Sequence, residues 1–201
     1  MEHSLQNTKL GLKLPTDPRW VNLAEMDLAE ILTDHAYCEQ KAATSCISLI
    51  QAYPDRVEMV EQLAPIVTEE WGHFRMVLKE LKKRGLSLGK QRKDLYVNKL
   101  LEYQKKGISK DESLLEKLLT CALIEARSCE RFRLLSLYCS DLELRTWYHQ
   151  FMVAEAEHYR LFLDLAGLYF GKEKAWNRWQ EYLKAEAGII DELETRGDRM
   201  H

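Results

Sequence analysis

The sequence is poor in glycine and proline, which number 9 and 4 among 201 residues. Because these residues form the turns between short strands, their scarcity disfavours a fold built from many strands. Apolar residues make up 46% of the chain and charged residues 30%, a balance that favours long helices. We therefore predict an all-α protein, and the length is that of one domain covering residues 1–201.

Paired cysteine spacings are missing. The five cysteines are odd in number, and none stands in a C-x-x-C pair. This pattern argues against a disulfide framework and against a thiolate zinc or rubredoxin-type site. We expect reduced thiols in the core.

Long apolar runs and a strong net charge are also missing. No stretch reaches the roughly 18 to 20 uninterrupted apolar residues of a membrane span, and the N-terminal residues lack the apolar region of a signal peptide. We expect a cytoplasmic protein with no membrane partner. The formal net charge of -3 gives the whole molecule no attraction for nucleic acid, so such binding requires a local basic patch.

Apolar residues that recur at helical spacing predict four bundle helices and a terminal helix, over residues 22–53, 55–85, 110–139, 141–170 and 172–195. Each of the four bundle helices follows a capping residue with a glutamate three positions on; these residues are Asn22, Asp55, Ser109 and Ser140. Residues 1–20 form an expected extended arm. Residues 86–109 are long enough for a crossover between two helical hairpins, with a short helix over 95–103.

Two of the predicted helices contain Glu-x-x-His, as Glu70 to His73 and as Glu155 to His158. Residues three apart lie on one helix face, about 5 to 6 Å apart at their Cβ atoms, so both side chains can reach one metal ion. A single copy is weak evidence, because glutamate is abundant on solvated helix faces.

The two motifs belong to a longer repeat. Glu39 precedes Glu70 by 31 residues and Glu125 precedes Glu155 by 30, so the two halves are offset by 85 or 86 residues. Two copies of a metal-binding hairpin would produce this offset, and a solvated face would not.

Apolar neighbours surround these glutamates, which predicts that they are buried. An ionised carboxylate without a counter-charge costs several kcal/mol to bury, and four in one core repel one another. A pair of divalent cations supplies the missing charge, and four carboxylates with two imidazoles suit iron or manganese.

Four segments carry a family resemblance: D-H-A-Y-C-E at 34–39, E-E-W-G-H-F at 69–74, A-L-I-E-A-R-S-C-E-R-F at 122–132 and A-E-A-E-H-Y at 154–159. They resemble the ferritin-like di-iron carboxylate superfamily and, more closely, the bacterial tRNA 2-methylthio-N6-isopentenyladenosine hydroxylases. The likeness runs from about residue 12 to 195. It implies a ferritin-like four-helix bundle of two hairpins joined by a long crossover, with an additional C-terminal helix.

The resemblance also implies roles for the repeated residues. Glu39 and His73 would be terminal ligands of one iron, Glu125 and His158 of the other, and Glu70 and Glu155 would bridge them. Glu130 is an alternative to Glu125, which we prefer because it preserves the repeat. His35 and His149 fall outside the repeat and are expected at the surface or behind the ligands.

The same resemblance implies the reaction. Two iron ions and O2 would hydroxylate the isopentenyl side chain of the modified adenosine next to the anticodon of tRNA, with electrons from an external donor protein. The basic residues Lys82, Lys83, Arg84, Lys90, Arg92 and Lys93 are the predicted tRNA contacts, although basic residues at a helix end also favour the helix dipole. The alternatives are another di-metal oxidase or catalase, an iron-oxidising protein, or a non-enzymatic helical bundle that binds no metal.

Overall fold

The structure is a computed structural model that describes residues 10–201. It contains only helices in that range, which confirms the predicted all-α class. The helices are α1 (Trp20–Glu25), α2 (Leu28–Ala52), α3 (Val57–Lys83), α4 (Leu95–Tyr103), α5 (Lys110–Tyr138), α6 (Leu142–Phe170) and α7 (Lys172–Glu192).

The four long helices pair as two hairpins. The most extensive helix contacts join α2 with α3 and α5 with α6, and the connection between the hairpins contains α4. Helix α7 packs on α4, α5 and α6. The predicted architecture of two helical hairpins, a long crossover and a further C-terminal helix is confirmed.

The start of the first bundle helix differs from the prediction. Helices α1 and α2 take the place of the single helix predicted over residues 22–53, because the backbone of Asp27 leaves the helical region at φ -140 and its carboxylate accepts the Glu30 amide at 3.1 Å. Asp27 therefore caps α2, whereas Asn22 lies inside the short helix α1. An Asp at this position satisfies an amide that the first turn leaves without a partner.

Two further helix starts also differ. Helix α3 begins at Val57 after Arg56, whose side chain makes no capping bond, so Asp55 is not the cap. Asp141, rather than its neighbour Ser140, caps α6 and accepts two backbone amides. The predicted cap of α5 is correct, since Ser109 accepts the Glu112 amide at 3.1 Å. The terminal helix ends at Glu192, three residues before the predicted end.

The N-terminal arm is packed against the bundle. Its first nine residues lie outside the described part of the chain, and residues 10–19 form no helix, as predicted. Leu10 and Leu12 are nevertheless buried in the main apolar cluster. Thr16 donates its hydroxyl to Glu130 at 2.7 Å and its amide to the same carboxylate at 3.1 Å. These contacts anchor the arm on α5.

The core consists of two apolar clusters along the bundle. One contains Leu63, Ala122 and Phe162 among others, and the second contains Ala36, Phe132 and Phe151. On α2, α3 and α6 the predicted metal ligands lie between the residues of one cluster and those of the other. Within residues 10–201 no helix combines the length and the apolar character needed to cross a bilayer.

Candidate metal centre

Each of the four long helices contributes to one polar layer in the core. Helix α2 contributes Glu39, α3 contributes Glu70 and His73, α5 contributes Glu125, and α6 contributes Glu155 and His158. All six residues are at most 9% exposed. The structure therefore brings together all six of the predicted ligand residues in a site that is shielded from water.

The six side chains form two groups with shared members. One group joins Glu39 and His73 with Glu70 and Glu155, and the other joins Glu125 and His158 with the same two glutamates. Within each group the candidate ligand atoms lie within 4.8 Å of one another. The two groups overlap at Glu70 and Glu155, so these two carboxylates could serve a metal ion on either side.

The histidines contact the carboxylates closely. Nδ1 of His73 lies 3.3 Å from Oε2 of Glu39 and 3.4 Å from Oε2 of Glu70. Nδ1 of His158 lies 2.7 Å from Oε1 of Glu70. In both rings the nitrogen nearest to the shared carboxylates is Nδ1, so Nδ1 is the candidate metal-binding atom on each side.

Burial and neighbouring charges shift the pKa values of the carboxylates and imidazoles in the site. Burial and the neighbouring carboxylate Glu70 raise the pKa of Glu39 well above its usual value, and burial and Glu125 do the same for Glu155. Burial also opposes ionisation of Glu70, but its contacts with His158 and His73 lower its pKa below the usual range. Burial lowers the pKa of His73 and His158, yet the nearby carboxylates outweigh it and raise these pKa values to about 10 and about 9.

Several ligand atoms make no hydrogen bond of acceptable geometry, even though Nδ1 of His158 and Oε1 of Glu70 are only 2.7 Å apart. They are buried and belong to Glu39 (Oε2), Glu70 (Oε1), Glu155 (Oε2) and His158 (both ring nitrogens). Buried polar atoms are almost always hydrogen-bonded, so a group of orphaned atoms at one place requires an explanation. A pair of divalent cations supplies partners for them, and the mixed oxygen and nitrogen donor set suits iron or manganese. The residues present therefore fit a two-metal centre.

Two further residues support the candidate ligands. Nε2 of the fully buried His35 lies 2.7 Å from Oε1 of Glu39. Glu69 was not predicted, yet its carboxylate lies 3.3 Å from Nε2 of His158 and 3.9 Å from Nε2 of His73. The sequence could have indicated Glu69, because its position four residues before His73 places both side chains on one helix face.

The remaining predicted candidates lie elsewhere. Glu130 is hydrogen-bonded to Thr16 and to the fully buried Arg127, so its carboxylate already has its counter-charge. Arg127 also donates from Nε to Glu186 at 2.9 Å, which ties α5 to α7. His149 is exposed on α6.

The predicted tRNA contacts divide into two sets. Lys83 pairs with Glu143 at 2.5 Å, Arg84 pairs with Glu80 and Asp141, and Arg92 pairs with Glu30 and Asp198. The other set is exposed and makes no salt bridge to any residue in the range 10–201; its members are Lys82, Lys90 and Lys93. The net positive charge of the patch thus comes mainly from three lysines.

Comparison with known proteins gives consistent results. The family described as tRNA-(MS2IO6A)-hydroxylase (MiaE) matches residues 3–201. The tRNA 2-(methylsulfanyl)-N(6)-isopentenyladenosine(37) hydroxylase of Pseudomonas putida is 34% identical over 174 residues, which cover 87% of this chain and 83% of the relative. The hydroxylase of the same name from Salmonella typhimurium is 27% identical over 206 residues, covering 77% and 74% of the two chains.

A solved structure is also similar over nearly the whole chain. It is the Synechococcus protein 43 with aldehyde deformylating oxygenase activity, with a TM-score of 0.88 and 33% sequence identity. The match covers 94% of each chain, so the helical architecture described above is shared with that protein.

Proposed function

The chain belongs to the tRNA-(MS2IO6A)-hydroxylase (MiaE) family and is a tRNA hydroxylase of 2-methylthio-N6-isopentenyladenosine; we propose that it works through two iron ions held by its six buried Glu and His side chains. The observation that carries the proposal is the overlap of two ligand groups at Glu70 and Glu155. A single shared pair of carboxylates between two such groups is the arrangement that a two-metal centre needs.

Each proposed ligand has a distinct role. Glu39 and His73 would hold one ion, Glu125 and His158 would hold the other, and the two glutamates shared by both groups would serve both ions. The negative charge of these two shared carboxylates would offset the repulsion between two neighbouring cations. The contacts of Glu70 with both histidines support its central role.

The two iron ions, when bound, supply the activation of O2 that aliphatic C–H hydroxylation requires. One oxygen atom enters the isopentenyl side chain and the other leaves as water, so the reaction also consumes two electrons and two protons. We propose that an external electron-donor protein delivers these electrons. The apolar side chains of Ala36, Phe132 and Phe151 lie beside the site and exclude water from it.

The substrate approaches, in this proposal, along the exposed face of α3. The Glu69 side chain is 44% exposed and contacts both histidines, so this carboxylate lies between the buried site and solvent. Trp71 is 46% exposed on the same helix. Aromatic side chains stack on unpaired bases, which makes Trp71 a surface for the modified adenine.

The tRNA backbone would contact the six predicted basic residues at the end of α3 and in the crossover. We expect Lys82, Lys90 and Lys93 to contribute most of the phosphate attraction, because Lys83, Arg84 and Arg92 already pair with acidic residues. We propose that the protein acts in the cytoplasm, in keeping with a tRNA substrate.

The test is a single reaction. The reduced, iron-loaded protein is incubated with O2, a reductant and tRNA bearing 2-methylthio-N6-isopentenyladenosine, and the nucleosides are then analysed by mass spectrometry. We expect one added oxygen atom on that nucleoside, and none with tRNA lacking the isopentenyl group or with Glu155→Ala. An unmodified nucleoside beside robust peroxide disproportionation or iron mineralisation would favour the alternative of another di-metal oxidase, catalase or iron-oxidising protein.

A further inference from the structure

We propose that Cys38, Asp94 and His201 bind one additional divalent transition-metal ion, preferentially Zn²⁺, at a site separate from the two-metal centre. The three residues come from three different parts of the chain: helix α2, the cap of α4, and the segment that follows α7. Candidate ligand atoms from all three lie within 4.8 Å of one another.

The distances match a tetrahedral zinc site. Sγ of Cys38 lies 3.8 Å from Nδ1 of His201, and the same nitrogen lies 3.3 Å from Oδ2 of Asp94. Zinc–ligand bonds of about 2.0 to 2.3 Å place neighbouring ligand atoms about 3.3 to 3.7 Å apart in a tetrahedron. Oδ2 of Asp34 lies 4.0 Å from Sγ, but it accepts the Met200 amide at 2.8 Å and is not one of the converging ligand atoms.

The arrangement differs from a catalytic triad. In a triad, the nucleophile and the carboxylate contact different nitrogens of the imidazole. Here the thiol and the carboxylate both approach Nδ1 of His201, while Nε2 faces the Ser128 hydroxyl at 2.9 Å. Three donors that converge on one point, with the distal ring nitrogen held by a polar group, are characteristic of a metal-bound histidine.

The surroundings hold the imidazole and leave space for an ion. The His201 ring stacks on Tyr96 with ring centroids 5.4 Å apart, and its side chain is only 3% exposed. A cavity of about 130 Å³ is lined in part by Asp94 and His201 and lies next to the cluster.

The local charges are compatible with a cation. Lys41 lies 3.6 Å from Asp94 and Arg199 lies 3.5 Å from Asp34, so each carboxylate has a neighbouring positive charge of its own. Binding of the ion releases the Cys38 thiol proton to solvent. The thiolate and the two carboxylates then carry three negative charges, against two positive charges on Lys41 and Arg199. A divalent ion offsets this remaining charge and leaves the cluster with a net charge of +1.

Such an ion would fasten the segment that follows α7. That segment is already docked, since Trp20 donates to the Arg196 carbonyl at 2.8 Å and Arg131 donates to the Arg199 carbonyl at 3.0 Å. Cys38 directly precedes Glu39, so the ion would fix the outer side of α2 next to a ligand of the two-metal centre. The predicted role is structural.

Cobalt(II) titration tests the proposal. Thiolate-bound Co²⁺ gives a sulfur-to-metal charge-transfer absorption in the near ultraviolet, which the proposed two-metal centre, with oxygen and nitrogen donors only, cannot give. We expect this absorption in the parent protein and its loss on adding Zn²⁺. Cys38→Ser should abolish the absorption and remove one equivalent of bound metal. The matched control is Cys139→Ser, because Cys139 is buried and contacts Glu25 instead.

A second variant keeps the test decisive if Cys38→Ser folds poorly. Asp94→Asn retains a good helix-capping side chain but is a weaker ligand, so the affinity for Co²⁺ at this site should fall at least tenfold. Absence of the absorption in the parent, or an unchanged affinity in Asp94→Asn, would overturn the proposal. Neither result depends on whether the parent hydroxylates tRNA, so the two proposals fail independently.

Discussion

The Nε2 atom of His35 lies 2.7 Å from Oε1 of Glu39, four residues on along α2. Burial, followed by the charge of His73, lowers the pKa of His35 well below its usual value, so the ring is neutral. In the tautomer that carries its proton on Nε2, the ring donates to the ionised glutamate and orients it. The rings of Phe132 and Phe151 each lie 4.7 Å from the imidazole, measured between centroids, and hold it in place.

His35→Ala should weaken metal binding by about 10- to 100-fold, because loss of a group that orients a ligand typically has this effect. His35→Gln keeps a donor and should lose less. Competition with a chelator measures the affinities. His149→Ala, which changes an exposed histidine on α6, should bind metal as the parent does; an equal loss in both Ala variants would argue against a specific role for His35.

Trp71→Ala should weaken tRNA binding by roughly 5- to 150-fold, because stacking of one base on an aromatic ring contributes about 1 to 3 kcal/mol. The apparent KM for modified tRNA reports this effect. Trp176 is 60% exposed on α7 and provides the control. If Trp176→Ala raises KM as much as Trp71→Ala does, the substrate does not approach along α3.

Combined replacement of Lys82, Lys90 and Lys93 by alanine should reduce the salt dependence of tRNA binding. Each phosphate contact contributes about 0.7 to 0.9 to the slope of log affinity against log salt concentration, so the slope should decrease by roughly 2 to 3. Filter binding over a range of salt concentrations measures it. Lys172→Ala, at the junction of α6 and α7, should leave the slope unchanged; a triple variant with the parental slope would exclude these lysines as contacts.

Because of Glu116, we expect the free energy of unfolding to fall as the pH drops below the usual pKa of a glutamate. Burial raises the pKa of Glu116, but hydrogen bonds from Arg178, the Lys105 amide and Tyr182 outweigh it and hold the pKa below the model-peptide value of 4.5. The stabilisation is thus present above pH 4.5 and is lost as the pH falls through the folded-state pKa.

Glu116→Gln should cost on the order of 3 kcal/mol of unfolding free energy at neutral pH, because it leaves Arg178 without its buried partner. Urea unfolding of the parent and the variant, from about pH 6 to about pH 3, measures this cost and the dependence of stability on pH. The difference between parent and variant should shrink on acidification. A constant difference would show that the carboxylate charge of Glu116 contributes nothing.

The repeat made the architecture and the six clustered residues predictable from sequence. Two hairpins offset by 85 or 86 residues bring equivalent positions together by symmetry, so spacing alone contained long-range information. The short helix over residues 95–103 was correct as well, since Asp94 caps it by accepting the Val97 amide.

Local sequence did not determine the helix starts. At Ser140 and Asp141 two residues capable of capping are adjacent, and the Glu25 carboxylate accepts hydrogen bonds from Ser140, which leaves Asp141 as the cap. That choice depends on a residue 115 positions away. The burial of Leu10 also depends on a residue that is distant in the sequence. Its carbonyl accepts the Tyr159 hydroxyl at 3.2 Å, and no local sequence pattern indicates this contact.

Anomalous X-ray diffraction from crystals of the iron-loaded protein at the iron absorption edge tests the central claim most directly. We predict two peaks, one beside Glu39 and His73 and the other beside Glu125 and His158, with Glu70 and Glu155 between them. A single peak, or peaks remote from these six side chains, would contradict the proposed two-metal centre.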